Sequence, residues 1–378
     1  MLGSMSIRQV LDEDLAVSTL PGSVLLDRGN DEIEVPSDPR FNMACQMEIF
    51  RSRAAGSYLD ILRTFCQNRC RIRRTLCHTI ADWDNLQLDS EELDQELRVW
   101  TKEKPIMDKS ISDDPIYAFP LSSWAYYYKL RQMEWILQMG FELETYQPSE
   151  LSGMYWYLQY LAKTRSRHLE RIRGFILRSR AVSACDKTSA AKREQEVKKA
   201  ISFVNFSTIE AAATYGFADA ISCLYTVLGR LSLLPTPPQP YSDDSLRYEV
   251  RMKPFSTIGL PELISFEELK EFIANPDEPI IKLLEFAEEY TASAKKAFEI
   301  ISKLSPKEAF CQGSHESWLK NVKDCLKSCI FASITIANVK KAVLAAGKDG
   351  KVNLKIEIPP PRKGYHDWWV LPKATPIP

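Results

Sequence analysis

Residues 149–183 read as one long helix, opened at Ser149 with Glu150 in its first turn. Its first half carries MYWYLQYL, which packs Met154, Tyr155, Trp156, Tyr157 and Tyr160 into two helical turns. At about 100° per residue, Met154, Tyr157, Leu158 and Leu161 share one face while Tyr155 and Trp156 point elsewhere. A helix that is apolar on nearly every side has to be buried between several elements or covered by a partner. Two readings follow for Tyr155, Trp156, Tyr157 and Tyr160. They fill a helical core, or they serve as partner-binding residues, because aromatic anchors concentrate at interface hot spots. Base stacking is the weakest alternative, since it requires an exposed sheet or groove rather than a helix centre.

The rest of the chain supplies helices to surround such a segment. Helical spacing begins at Phe41 and includes Leu59, Leu62, Phe65, Cys66, Leu76, Ile80 and Trp83. An acidic helix is expected over 90–101, opened by Asp-Ser-Glu-Glu. Another is expected over 121–139, capped by Ser122 or Ser123 and ended by Gly140 as a C′ glycine. Further helices are expected over 194–234, 265–274, 279–304 and 317–346. Short strands are expected at 23–26 and 32–35, RYEVRMKPF reads as extended, and Val352, Leu354, Ile356 and Ile358 alternate as a strand. LPTPPQPYSDD is the clearest break in the chain. The expected architecture is mainly α, a multi-helix scaffold with long helices and a few short edge strands. Its expected divisions are an extended 1–40, a helical domain 41–235 and a C-terminal helical domain 236–378. No fixed-period repeat is visible, which disfavours a solenoid.

Composition places the chain among folded globular proteins: 378 residues, 45% hydrophobic and 26% charged. No uninterrupted run of eighteen apolar residues occurs, so no membrane-spanning helix is expected. The N-terminus lacks a basic start followed by an apolar core, so secretion is not expected either. The nine cysteines are sparse and sit among apolar neighbours, which fits reduced core thiols in a cytoplasmic protein. Cys66, Cys70, Cys77 and His78 suggest a zinc site, but on a single helix Cys66 and Cys77 would stand about 16 Å apart. One zinc ion needs all its ligands within about 2.3 Å. No metal is expected there.

Charge is uneven although the net is −1. Residues 163–180 hold Lys163, Arg165, Arg167, Arg171, Arg173, Arg178 and Arg180 against Glu170 alone, while 82–114 hold eleven acids and four bases. These charges are solvated or mutually paired helix faces, or they form a phosphate-contacting surface, for which Arg167, Arg171 and Arg178, clustered on one face, are the RNA-contact candidates. Part of the basic run is expected to meet the acidic 82–114 stretch.

A search for catalytic patterns finds no GxxxxGK[ST], GxGxxG, HExxH, GxSxG or paired CxxC. The nearest strings to an acyl-CoA pyrophosphate loop are RAAGSY (53–58) and RIRGFI (171–176). Both lack the final small residue, and the second lies mid-helix, where the amides are already bonded. The chain is expected to carry no catalytic residues and no cofactor.

Two blocks then carry a family resemblance. LSSWAYYYKLRQMEWILQMGFELETYQPSELSGMYWYLQYL is similar to the central segment of the large auxiliary subunit of the NatC N-terminal acetyltransferase. SLRYEVRMKPFSTIGLPELISFEELKEF is similar to that family's RYE-x-R-x-x-PF segment, in the same order and about a hundred residues on. Family members are considerably longer, so the chain resembles a C-terminal portion of one. The resemblance implies a non-catalytic helical scaffold that binds and stabilises a separate acetyl-CoA-binding catalytic subunit. Acetylation would fall co-translationally on nascent chains beginning Met-hydrophobic. Implied partners are that catalytic subunit, a small Sm-like auxiliary subunit and the ribosome, with no membrane and no DNA. The alternative reading is a helical RNA- or ribosome-binding adaptor with no acetyltransferase partner.

Overall fold

The computed structural model describes residues 45–46, 48–57, 68–101, 120–180, 187–235, 243–273, 278–309, 314–347 and 352–377. The described chain is mainly α, as expected. Its helices are α1 (48–57), α2 (Arg69–Thr101), α3 (Pro120–Glu142), α4 (Leu151–Arg180), α5 (Lys187–Arg230), α6 (Asp244–Met252), α7 (Phe266–Ile273), α8 (Ile280–Ile301) and α9 (His315–Ala346). One two-stranded antiparallel sheet follows, β1 (Leu354–Glu357) with β2 (Lys373–Pro376), in register Leu354↔Pro376 and Ile356↔Ala374. The strands expected at 23–26 and 32–35 lie outside the described residues, as does Cys66. β2 was not legible, because Pro372 and Pro376 mask its pattern.

The contacts divide the chain within α3, after Lys129, rather than at 235/236, and the extended segment expected over 1–40 lies outside the described residues. In the first unit, Phe50 and Ala54 of α1 pack with Trp83, Leu86 and Leu93 of α2, and Leu121 and Tyr128 of α3 pack against that cluster. Here α2 is a single helix, and the break expected at Asp89–Ser90 is absent. Ser90 is buried mid-helix and its hydroxyl donates to the Gln87 carbonyl 2.6 Å away, so its polar group is satisfied without a cap. The cap expected from Ser122 or Ser123 is supplied from a distance. The carboxylate of Asp94 accepts from the backbone N–H groups of Leu121 (3.2 Å) and Ser122 (2.9 Å) and from the Ser122 hydroxyl (2.9 Å). Asp84 likewise holds Lys129, whose side chain is fully buried, at 2.7 Å. Acids of the 82–114 stretch thus act within their own unit.

The second unit, Leu130–Pro378, is organised around α5. α4 and α8 lie along it, and α9 packs on α8 and against β2. Helices from both sides of the proline-rich 235–242 stretch therefore share one core, which is why that stretch is no domain boundary. RYEVRMKPF is helical rather than extended. Asp243 caps α6 by accepting from Leu246 N–H at 3.1 Å, and Arg247, Tyr248 and Met252 form its buried face. Leu246, Tyr248, Val250 and Met252 alternate with polar residues, which reads as a strand, but of these only Tyr248 and Met252, one helical turn apart, are buried, while Leu246 and Val250 are exposed.

Gly140 also departs from expectation. It lies inside α3, which ends two residues later through Glu144 in the left-handed region (φ 55°), with Thr145 N–H donating to the Gly140 carbonyl at 3.0 Å. Glycine is required for space: a Cβ there would sit 2.1 Å from the Tyr146 hydroxyl and 2.3 Å from its ring. Gly140→Ala is expected to destabilise the unit by about 1–3 kcal/mol through overpacking. Tyr146→Ala in the same background should recover the part due to the clash, as read from urea midpoints. An unshifted midpoint for Gly140→Ala would show that the ring yields freely.

Among the described residues two helices are long and apolar enough to cross a membrane by length and composition, Val197–Arg230 and His315–Ala346. Neither contains an unbroken apolar run, since Ser, Thr, Asn and Lys interrupt them, so the sequence criterion passed them over. The most apolar part of the first is 72% buried inside the protein, that of the second only 28%.

Candidate partner-binding surfaces

The aromatic stretch of α4 is divided between core and surface. Tyr155 is fully buried, its ring stacked on Phe141 (centroids 4.0 Å apart, planes at 6°) and close to Tyr225 and Trp369. Its hydroxyl donates to the Trp368 carbonyl (2.9 Å) and accepts from Val370 N–H (2.7 Å), and Tyr225 donates to the Val370 carbonyl (3.1 Å). Burial pushes the Tyr155 phenol well above its ordinary pKa, so it stays protonated and keeps both bonds. Tyr157 is also fully buried, stacked on Phe255 at 5.9 Å. These two side chains present no surface to a partner, which corrects half of the candidate set: the core consumes them.

Trp156 and Tyr160 are only partly buried. Their rings lie parallel (5.8 Å, 4°), and Trp156 stacks on Phe272 of α7 (5.1 Å, 15°), itself 63% exposed. The result is a three-ring surface ladder spanning α4 and α7. Phe272 was missed from the sequence because α7 is far from α4 along the chain.

The basic run divides in the same way. Arg165 is fully buried. Its Nε donates to Glu134 Oε1 (2.6 Å), its Nη2 to Glu134 Oε2 (3.1 Å) and its Nη1 to Glu210 Oε2 (3.1 Å). Arg131 completes the network on Glu134 and Glu210, both at 3.1 Å. The carboxylates that neutralise Arg165 thus come from α3 and α5 rather than from 82–114. Arg167 and Arg173 are exposed and Arg171 is partly buried, while the Arg178 side chain lies outside the described residues.

Cys325 and Cys329 are buried, and burial pushes the Cys325 thiol up to about 12. Trp369 Nε1–H donates to Cys325 Sγ at 3.4 Å. His168 is buried, and His366 Nδ1 accepts from Trp368 N–H at 3.2 Å. A groove of about 820 Å³ is lined by Phe141, Tyr146, Leu233, Leu234, Ile358 and Pro360. Among the described residues no group of three or more His, Cys, Asp or Glu side chains is placed to hold a metal ion.

Long helices packed side by side, with a surface aromatic ladder and buried ionic ties, define a multi-helix scaffold fold. The family model described as "NAA35-like, TPR repeats" matches residues 1–371, and the chain belongs to that family. The repeat character in that description is not visible as a period, because the helices differ too much in length. α5 alone has 44 residues, more than the ~34 of a whole tetratricopeptide unit. The Saccharomyces cerevisiae N-alpha-acetyltransferase 35, NatC auxiliary subunit, is 26% identical over 251 residues, covering 58% of this chain and 31% of that protein. The Drosophila melanogaster homolog is 22% identical over 327 residues, covering 75% of this chain and 41% of its own length. The chain thus spans between about a third and two fifths of these relatives. A crystal structure of the apo NatC complex matches with TM-score 0.66 at 19% identity, covering 87% of this chain and 48% of the matched one. The NatC complex bound to Arl3 peptide and CoA matches with TM-score 0.67 at 18% identity over the same shares.

Proposed function

We propose that this chain is a non-catalytic auxiliary scaffold of a NatC-type N-terminal acetyltransferase, holding a separate acetyl-CoA-binding catalytic subunit in its working arrangement. The observation that carries this is membership of the NAA35-like family along residues 1–371. The relatives' names as NatC auxiliary subunits support it, as does the fold shared with chains of NatC complexes. Co-translational acetylation of Met-hydrophobic nascent chains, a small Sm-like subunit, ribosome contact and a cytoplasmic location belong to the same reading. Trp156 and Tyr160, with Phe272, form the aromatic surface offered to the catalytic subunit, and Arg167 and Arg171 are offered to the ribosome.

The test is co-expression with the catalytic subunit from the same source. Stoichiometric copurification is expected, with acetylation of a Met-hydrophobic peptide only when that subunit is present. Trp156→Ala should weaken the assembly at least several-fold, the usual scale for an interface aromatic, while leaving the circular dichroism spectrum unchanged. Failure of the unaltered chain to copurify would sink the scaffold reading.

A further inference from the structure

The outward face of α9 is apolar, yet nothing among the described residues covers it. Ile330, Ile334 and Leu344 are 48%, 54% and 63% exposed. The opposite face is packed in the unit through Val322, Cys325, Cys329, Ala332, Ile336 and Val339. It is further tied to the tail by Thr335 donating to the Pro372 carbonyl (3.0 Å) and by Asn338 donating to the Ala374 carbonyl (3.4 Å). The exposed face is therefore presented in a fixed orientation.

Its pattern specifies what fits. Ile330, Ala337 and Leu344 recur every seven residues, and beside them run Lys327, Ile334 and Lys341 at the same interval. Seven-residue rows on a helix are what a second helix packs against, and the small Ala337 between Ile330 and Leu344 leaves a hollow for an incoming side chain. The row from 330 to 344 is about 21 Å long, some four turns. The helix holds five lysines and two acids, Asp324 and, in its first turn and remote from the 330–344 row, Glu316. Lys340 pairs with Glu288 and Lys327 with Asp324, whereas Lys320, Lys323 and Lys341 have no carboxylate partner among the described residues.

We infer that this face docks an amphipathic helix of the catalytic partner, one with an apolar stripe flanked by acidic residues. The inference rests on the scaffold reading and deepens it. Charge complementarity selects an acidic helix over a second copy of this chain, which would set lysine against lysine. A lipid surface is disfavoured because Ser333 and Lys341 lie among the apolar side chains, where acyl chains offer neither a partner.

The experiment uses the co-expressed complex with a benzophenone amino acid in place of Ile334, together with the double variant Ile334→Glu and Leu344→Glu. Expected results are photo-crosslinks into an acidic helix of the catalytic subunit and at least tenfold weaker assembly in the double variant. Because both positions are exposed, circular dichroism should be unchanged. Phosphatidylserine vesicles should not pellet the complex through this face. The inference is overturned by unchanged affinity in the folded double variant, by crosslinks to a second copy of this chain, or by vesicle binding that the double variant abolishes. If the unaltered chain fails to assemble with the catalytic subunit at all, the scaffold reading falls first and this inference with it. Normal assembly with an inert α9 face removes this inference alone.

Discussion

Replacing Arg165 with alanine should lower the stability of the 130–378 unit by about 3–5 kcal/mol, the cost of removing one partner of a buried ion pair, here the one with Glu134. The guanidinium is fully buried and grips Glu134, itself fully buried, through two hydrogen bonds, with a third to Glu210. Removing it leaves Glu134 with Arg131 alone, inside a low-dielectric core where an uncompensated charge is most costly. Replacing both partners by apolar residues, Arg165→Met with Glu134→Leu, should recover most of the loss, since no stranded charge then remains. The acid limb adds a second readout. Burial pushes the Glu210 carboxyl up, but the guanidinium groups of Arg131 and Arg165 outweigh it and hold it below the ordinary carboxylate range. A depressed folded value contributes stability above the unfolded pKa, about 4.3 for Glu, that is lost as pH falls through the folded value. Arg165→Ala should therefore move acid unfolding to higher pH. Urea midpoints at pH 7 and pH 4 measure both effects. A variant as stable as the parent would mean that the network contributes no net stability, and the double replacement would then be neutral as well.

Tyr155 should show a graded response that separates hydrogen bonding from packing. Tyr155→Phe keeps the stack on Phe141 but strands the buried Val370 N–H, costing about 1–3 kcal/mol. Tyr155→Ala also removes the ring and should cost about 3–5 kcal/mol. The loss is directional, because this hydroxyl clasps residues 368 and 370 of the C-terminal segment. The segment should accordingly become protease-sensitive before the helices do, with cleavage between 352 and 377 in Tyr155→Ala under conditions that leave the parent intact. Equal sensitivity in parent and variant would show that Tyr225, Trp369 and Thr335 hold the segment without it.

The periodicity of apolar residues was enough to determine the helical class and the approximate limits of α4, α7, α8 and α9, because burying one stripe of a helix imposes a 3.6-residue spacing wherever the helix packs. The two blocks carrying GFELE with MYWYLQYL, and RYEVRMKPF, were enough to point to the family. What each side chain does was decided only by the tertiary structure. Tyr155 and Trp156 are adjacent and chemically alike, yet one binds the C-terminal tail from inside the core and the other stacks with Phe272 at the surface. Arg165 and Arg167 stand two apart in the same basic run, yet one is sealed between Glu134 and Glu210 while the other is exposed. Asp94 of α2 caps the start of α3, and Gly140 is glycine because Tyr146 lies against it. Local spacing records which way a side chain leaves its own helix. Whether water, a carboxylate or another ring waits there depends on segments tens to hundreds of residues away, which only the packed chain brings together.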